Sequence, residues 1–340
     1  MQISLVRHHV PQLGREVVVA LDGDGADAYQ DEFRVGYPFP TILSFLVPGR
    51  VGIERLVDVG ANIGQVAIAA AALGVDCLAV EPDPKSYVLL CEALRANGLA
   101  NVRPIHAAAS DRTGVLTLVG DSAWAHVVEE AEPDPGGVRV PALPLDTLLP
   151  LHGFDSPDLI KVDAEGHEAA VLRGLETTIS RSRPLLIVES NTWMLGGTGP
   201  ARSLLEWLED LGYALYLFMP DGSAVTRSSD VLQPFVVADY LAVPLGDGRI
   251  RSLPELWTLS LEDELALIEH ELESLADQPS DLRPRLLHLS HSLSDLERRA
   301  GASGRLRHAK ERLGALAVDP DVAAFVRETW TPQAAGARRA

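Results

Sequence analysis

The stretch RLVDVGANIGQVAIAAAA, residues 55–72, decides the fold. Its first apolar residues lead to Asp58, a turn with Gly60 and Gly64 follows, and an alanine-rich run completes it. This order predicts a buried strand, a tight turn and a helix. Glycines in such a turn let backbone amides approach a ligand closely, and the helix N-terminus adds a positive dipole. The stretch therefore predicts a ligand-binding loop at the end of a strand.

The composition excludes some classes of partner and site. The 340 residues are 46% hydrophobic, which is enough to bury a large core. The net charge of −19 argues against binding to nucleic acid, because proteins that bind it usually carry a basic face. The 2 cysteines, Cys77 and Cys91, supply neither a disulfide framework nor a four-cysteine zinc site.

The N-terminal residues contain no apolar run of the kind that signal peptides have. The most apolar run, residues 63–73, is too short to span a bilayer. We therefore expect a cytoplasmic protein without a membrane partner.

Short apolar runs alternate with helical patterns over residues 51–243, which is typical of a parallel α/β sheet. The predicted strands cover residues 56–59, 77–81, 102–107, 158–163, 184–189, 213–218 and 234–243. The predicted helices cover residues 64–73, 84–97, 167–180 and 200–211. Additional β segments are predicted at residues 17–21, 115–119 and 138–143, and the acidic residues 22–32 are predicted to form a loop. The fold class is an open, doubly wound sheet that binds ligands at the carboxyl ends of its strands.

Leucine stripes at helical spacing mark the C-terminal part of the chain. They consist of Leu261, Leu265, Ile268, Leu272 and Leu275, and of Leu286, Leu289, Leu293 and Leu296. Each stripe is about two heptads long, which is short for a coiled coil. Two interpretations stay open, a helical bundle within the chain and an element that forms a homodimer. The expected domains are an N-terminal segment or substrate cap at 1–50, a ligand-binding domain at 51–245 and a helical extension at 255–330.

Three ligands compete for the glycine turn. A phosphate-binding P-loop needs a lysine after its last glycine, but Gln65 follows Gly64. A dinucleotide turn has a middle glycine where this chain has Asn62. S-adenosylmethionine has a cationic amino acid end, which suits the carboxylate of Asp58. Glu81, which ends the second predicted strand about 20 residues after Gly60, is placed to bind two ribose hydroxyls.

Four motifs together resemble the FkbM-type methyltransferases, and the resemblance covers roughly residues 40 to 243. The motifs are DVGANIG (58–64), EPDP (81–84), AAASDRTG (107–114) and IKVDAEGHEAAVLRGLE (160–176). The resemblance implies a seven-stranded class I fold whose last strand is antiparallel. It also implies transfer of a methyl group from S-adenosylmethionine to a hydroxyl of a sugar, polyketide or other secondary metabolite.

The resemblance assigns the cofactor-binding residues. Those on the methionine side are Asp58, Gly60, Asn62 and Gly64. Glu81 is assigned to the ribose, and Ala108 and Asp111 lie near the adenine, where Ser110 could help.

Asp163 ends the fourth predicted strand, where the methyl acceptor should approach. Glu165, His167 and Glu168 follow it closely. An acceptor hydroxyl loses a proton during methyl transfer, and Asp163, Glu165 or His167 could accept it. Alternatively, Asp163, Glu165 and Glu189 could hold a magnesium ion that lowers the pKa of the acceptor. In a third interpretation the segment is structural, and Glu165 and Glu168 in the first turn of the following helix interact with its dipole.

The sequence thus predicts an S-adenosylmethionine-dependent O-methyltransferase with a small-molecule acceptor. Two other functions stay open, a nicotinamide-dependent oxidoreductase and a non-catalytic scaffold that associates through its helical tail. The acceptor pocket is expected from residues 1–50 and from the loops at 120–137 and 190–200.

Overall fold

The computed structural model describes most of the N-terminal 247 residues and shorter parts of the rest. The described residues are 1–23, 28–38, 52–120, 125–128, 136–191, 194–195, 198–218, 224–226, 237–247, 257–258, 265, 268–269, 272, 286, 289, 293, 297 and 303–316.

The chain forms two compact units. Unit 1 comprises Met1–Glu189, Leu208–Ala224 and Asp239–Glu255, and unit 2 comprises Ser190–Trp207, Val225–Ala238 and Leu256–Ala340. These limits differ from the domains expected from the sequence, because the first 50 residues group with the central sheet. Residues 190–207 and 225–238, which fall inside the expected 51–245 domain, group with the C-terminal part.

Unit 1 is built on a large sheet with a mixed α/β architecture. Seven of the nine described strands in this sheet lie in the order β12-β14-β11-β10-β3-β4-β5, so the seven-stranded sheet that the resemblance implied is not confirmed. Their bounds are β3 Arg55–Val59, β4 Asp76–Val80, β5 Val102–Ile105, β10 Leu159–Val162, β11 Leu185–Asn191, β12 Tyr213–Phe218 and β14 Val237–Pro244. The strands from β11 to β5 pair in parallel, whereas β12 and β14 are antiparallel. The buried apolar residues of these strands form the core, as the apolar runs predicted.

Helices connect the strands of this sheet. Helices α2 (Gln65–Ala72) and α3 (Pro84–Asn97) follow β3 and β4, α4 (Leu145–Leu151) precedes β10, and α7 (Thr198–Asp210) follows β11. The predicted helix at 167–180 is divided into α5 (Glu168–Arg173) and α6 (Glu176–Ser182). The division falls at Gly174, where a Cβ atom would lie 2.0 Å from the carbonyl oxygen of Ser110.

The N-terminal residues form a hairpin followed by a helix. Strands β1 (Ile3–Val10) and β2 (Arg15–Asp22) are antiparallel and are joined by a short 3-10 turn at Pro11–Leu13. Asn97 anchors the hairpin to α3 by hydrogen bonds with both backbone groups of Val18. The predicted loop at 22–32 is partly wrong, because α1 covers Ala28–Val35.

A second sheet occupies the connection between β5 and β10. Its four strands lie in the order β6-β9-β7-β8. They are β6 (Ala108–Ala109), β7 (Gly114–Val119), β8 (His126–Val128) and β9 (Val138–Leu143), so the segments predicted at 115–119 and 138–143 both form strands. The strand β6 places Ser110 and Asp111 directly after it.

Unit 2 contains two short parallel strands and a helical core. Strands β13 (Ala224–Thr226) and β15 (Trp257–Thr258) pair with each other. Helix α8 covers Gly304–Leu316. The buried core of this unit combines members of both leucine stripes with α8, namely Leu265, Ile268, Leu272, Leu286, Leu289, Leu293, Leu306, Ala309 and Leu313. The stripes therefore bury apolar surface within one chain.

None of the helices in the described residues combines the length and apolar character needed to cross a bilayer.

Candidate active site

The glycine turn lies between three strands of the central sheet. The amides of Gly60 and Ala61 donate to the carbonyl of Val80 at 2.9 and 3.1 Å. Asn62 and Gly64 both have positive φ values, +48° and +95°. A Cβ atom on Gly60 would lie 1.8 Å from the carbonyl oxygen of Asp163, so only glycine fits where β3 passes β10. The turn is thus fixed against the strand ends that flank it.

Asp58 is buried directly before this turn. It is 1% exposed, and neither of its carboxylate oxygens has a hydrogen-bond partner among the described residues. Burial raises the pKa of Asp58 to about 6, Lys161 opposes the rise and Asp163 adds to it. A buried carboxylate without partners is costly, so this position suits a cationic ligand group.

Glu81 supports the turn from the end of β4. Its Oε2 accepts a hydrogen bond from the amide of Asn62 at 2.7 Å, and its Oε1 accepts one from the amide of Asp83 at 2.7 Å. Burial raises the pKa of Glu81 to about 8, although both amides oppose the rise. Each oxygen keeps a second lone pair, so the carboxylate can still accept from a diol.

The residues assigned to adenine lie after β6. Ala108 and Ser110 are buried, and Asp111 forms ion pairs with Arg173 and Arg112 at 3.4 and 3.5 Å. The Oγ of Ser110 lies 3.0 Å from the Nε2 of His167. His167 therefore lies next to Ser110, on the side assigned to adenine. The sequence had predicted it as a proton acceptor together with Asp163.

Lys161 is a site residue that the sequence analysis missed. Its Nζ lies 2.6 Å from the Oδ2 of Asp163, and both Asp58 and Lys161 are buried at paired positions of β3 and β10. Burial lowers the pKa of Lys161, but Asp163, Asp58 and Asp239 outweigh this effect and raise it, so the ammonium stays charged. The signal was present in the sequence, because a lysine within an apolar strand needs a buried partner.

The loop after β10 holds two further carboxyl groups. Glu168 is fully buried, and its Oε1 accepts from the amides of Ala164 and Gly166 at 2.9 and 3.0 Å. Burial raises the pKa of Glu168 to about 7, and the same amides oppose the rise. Glu165 has a φ of +48°, a strained conformation for a residue with a side chain, and burial with the neighbouring Asp163 and Glu168 raises its pKa to about 8.

Asp163, Glu165 and Glu189 come together as the sequence predicted for a metal site. One carboxylate oxygen from each lies within 4.8 Å of the others. Burial raises the pKa of Glu189 well above its usual value, and Asp163, Glu165, Asp239 and Glu168 add to the rise. This part of the site therefore concentrates carboxyl groups after β10 and on β11.

Two tyrosines next to the glycine turn were also missed. The hydroxyl of Tyr37 donates to the carbonyl of Gln65, and the hydroxyl of Tyr29 donates to the Oε1 of Gln65 at 3.4 Å. Burial raises the pKa of Tyr29. The charge of Lys161 opposes this rise, and the charges of Asp163 and Asp58 add to it. Tyr29 lies on α1, which was predicted as a loop because the stretch is acidic. The four-residue spacing of Tyr29 and Phe33 was the sequence signal for a helix.

Parts of the expected acceptor pocket lie outside the described residues. These are residues 24–27, 39–50, 121–124, 129–135, 192–193 and 196–197.

Comparison with known proteins gives a family match over the same part of the chain. The model of the methyltransferase FkbM domain matches residues 58–215. A hexuronic acid methyltransferase, AglP of Haloferax volcanii, is 30% identical over 137 residues, which are 40% of this chain and 55% of that protein. The chain thus matches about half the length of this curated relative.

Solved structures of methyltransferases are also similar. An FkbM methyltransferase from Methylobacillus flagellatus has 18% identity and a TM-score of 0.38, with 64% of this chain and 55% of that chain covered. An O-methyltransferase from Bacillus cereus in complex with S-adenosylhomocysteine has 14% identity and a TM-score of 0.37, with 66% of this chain and 84% of that chain covered.

The sequence match covers less than half of the chain, and over that part the chain is similar to methyltransferase domains. Residues 58–215 match the methyltransferase FkbM domain, in agreement with the family resemblance that the motifs predicted.

Proposed function

We propose that this protein is an S-adenosylmethionine-dependent methyltransferase that acts on a hydroxyl oxygen of a small acceptor. The observation that carries the proposal is the buried carboxylate of Asp58, which has no hydrogen-bond partner among the described residues. It lies beside a turn whose glycine packs against the backbone of Asp163. The ammonium and sulfonium of the cofactor supply the positive charge that this carboxylate needs.

The residues at the turn fit this cofactor. Asp58, Gly60, Asn62 and Gly64 would hold its methionine end, and Glu81 would accept from its ribose hydroxyls. Ser110 and Asp111 would lie at its adenine end, with His167 holding the hydroxyl of Ser110. When bound, S-adenosylmethionine supplies a methyl group already activated by the positive sulfur.

The chain's own residues would receive the acceptor and its proton. Asp163 and Glu165 follow β10 at the centre of the sheet, and Lys161 holds Asp163 in place. During methyl transfer, one of these carboxylates would accept the proton that the acceptor hydroxyl loses. Positioning of the two reactants accounts for much of the rate, because the donor is already activated.

A sugar is the acceptor class that we favour. The name of the Haloferax volcanii relative specifies a hexuronic acid. Polyketides and other secondary metabolites remain in the proposal as acceptors that also carry hydroxyl groups.

Calorimetry with the full chain tests the cofactor. We expect S-adenosylmethionine and S-adenosylhomocysteine to bind at one per chain, and a nicotinamide dinucleotide not to bind. Binding of the dinucleotide alone would favour an oxidoreductase, and binding of none of them would favour a scaffold. Transfer of a labelled methyl group to glucose, glucuronic acid and a simple polyketide alcohol then tests the acceptor class.

Two variants separate the proton acceptor from the adenine side. Glu165→Gln is expected to lower kcat and leave KM for S-adenosylmethionine unchanged. His167→Gln is expected to raise that KM with little change in kcat. A lowered kcat in His167→Gln together with a raised KM in Glu165→Gln would instead identify His167 as the proton acceptor.

A further inference from the structure

We propose that Asp163, Glu165 and Glu189 bind one hard divalent cation such as Mg²⁺ or Mn²⁺. Three carboxylate oxygens, one from each residue, lie within 4.8 Å of one another. Two oxygens bound to one Mg²⁺ ion at about 2.1 Å each can be at most about 4.2 Å apart. The corresponding limit for the larger Ca²⁺ ion is about 5 Å. A small adjustment of the side chains is therefore enough to bring all three oxygens to one ion.

Buried oxygens without partners are the independent sign of a ligand here. The Oε2 atoms of Glu165, Glu168 and Glu189 are all buried, and none has a hydrogen-bond partner among the described residues. Glu168 is fully buried, and its Oε1 is already used by the amides of Ala164 and Gly166. Buried acceptors of this kind are rare unless a proton or a metal ion satisfies them.

The backbone explains how three carboxylates reach one point. Glu165 adopts a φ of +48°, and Gly166 follows with a φ of +93°, so the chain reverses directly after Asp163. Glu189 approaches from β11, which pairs in parallel with β10. The strain at Glu165 is the kind that persists where a ligand site requires it.

Charge in the surroundings also favours a cation. Lys161 binds the Oδ2 of Asp163 at 2.6 Å, which leaves Oδ1 for a metal. The same ammonium also faces Asp58 and Asp239, so it is shared among several carboxylates. A divalent cation would balance the remaining negative charge of the three ligands.

A cation at this position would also serve the proposed reaction, and this part of the inference rests on the proposed function. Mg²⁺ takes six oxygen ligands, so three carboxylates leave positions for water and for the acceptor hydroxyl. Coordination lowers the pKa of a bound hydroxyl, and a free carboxylate oxygen can then take its proton.

Titration of the full-length, metal-free protein with Mn²⁺ alone tests the site, with free Mn²⁺ followed by electron paramagnetic resonance. We expect saturation at one ion per chain. Glu165→Gln and Glu189→Gln keep the shape of the side chain, and each is expected to weaken Mn²⁺ binding by at least about tenfold. The control Glu92→Gln changes a carboxylate on α3 that pairs with Arg95, and it should bind like the wild type.

The absence of saturable Mn²⁺ binding would overturn the proposal, as would wild-type affinity in both glutamine variants. Circular dichroism shows whether each variant folds. If one of the glutamine variants does not fold, Asp163→Asn is tested in its place. Calorimetry with S-adenosylmethionine in the presence of a chelator keeps the two proposals apart. Cofactor binding without Mn²⁺ binding rejects the metal site alone, whereas Mn²⁺ binding without cofactor binding rejects the proposed function alone.

Discussion

The carbonyl oxygen of Asp163 occupies the space where a side chain on Gly60 would begin, 1.8 Å from the ideal Cβ position. Gly60 starts the turn that we propose for the cofactor, and Asp163 starts the side that we propose for the acceptor. The two halves of the site are therefore joined at a backbone contact that only glycine allows.

We predict that Gly60→Ala destabilises the protein by roughly 4 kcal/mol or more, because the backbone of β3 or β10 must move. Gly74→Ala is the matched control. Gly74 has a φ of +91° with no atom within 4 Å of an added Cβ, so only the strain of about 1–2 kcal/mol applies. Urea unfolding of both variants measures the difference, and equal losses of stability would contradict the close contact.

We predict that Asp58→Asn weakens S-adenosylmethionine binding by about tenfold or more, since it removes a charge-assisted contact. The fold should be preserved or become more stable at neutral pH, because a buried carboxylate without a hydrogen-bond partner among the described residues is removed. Asp76→Asn, on the exposed first position of β4, is the control. Calorimetry and thermal melting measure both effects, and wild-type affinity in Asp58→Asn would reject the assigned role.

We predict that Lys161→Met lowers the free energy of unfolding by about 3 kcal/mol or more, because it leaves Asp58, Asp163 and Asp239 without their shared cation. The exposed Lys85→Met serves as the control. A drop in stability that is equally small in both variants would show that Lys161 is not needed to balance these carboxylates.

We predict that the ligand-free protein loses stability as the pH rises from 5 to 8. The pKa of Glu81 rises from 4.5 to about 8 on folding, and that of Asp58 from 3.8 to about 6. Between these values the folded protein binds more protons than the unfolded chain, so the free energy of unfolding falls with increasing pH. Each group contributes a slope of up to about 1.4 kcal/mol per pH unit.

Urea unfolding at a series of pH values measures this slope. Glu81→Gln should make the curve less steep up to about pH 8, and Asp58→Asn should do so only up to about pH 6. A wild-type curve that rises toward pH 8, or variants with unchanged slopes, would contradict the raised pKa values.

The strands and the cofactor turn could be predicted because their signals are local. Apolar runs marked β3, β4, β10 and β11, and the glycines between β3 and α2 marked the turn. The break after α5 could not be predicted, because it depends on the carbonyl of Ser110, which is far from Gly174 in the sequence.

The site was only partly predictable for the same reason. Asp58, Glu81 and Asp163 end strands, and strand ends can be located from the pattern. The role of Lys161 depends on its register with Asp58 across β3 and β10, which the sequence pattern does not specify. The hydrogen bond between His167 and Ser110 likewise requires two distant segments to meet.

Lys161 also has a consequence for the order of events at the site. Its ammonium interacts with Asp58 on the cofactor side and with Asp163 on the acceptor side. A cationic ligand at Asp58 would leave more of the Lys161 charge to Asp163, so the two ligands influence each other through one ammonium group. Thermodynamic reciprocity then requires the acceptor to change the cofactor's affinity by the same factor by which the cofactor changes the acceptor's. Under the proposed function, the cofactor and the acceptor would bind cooperatively, with a single buried lysine as the coupling element.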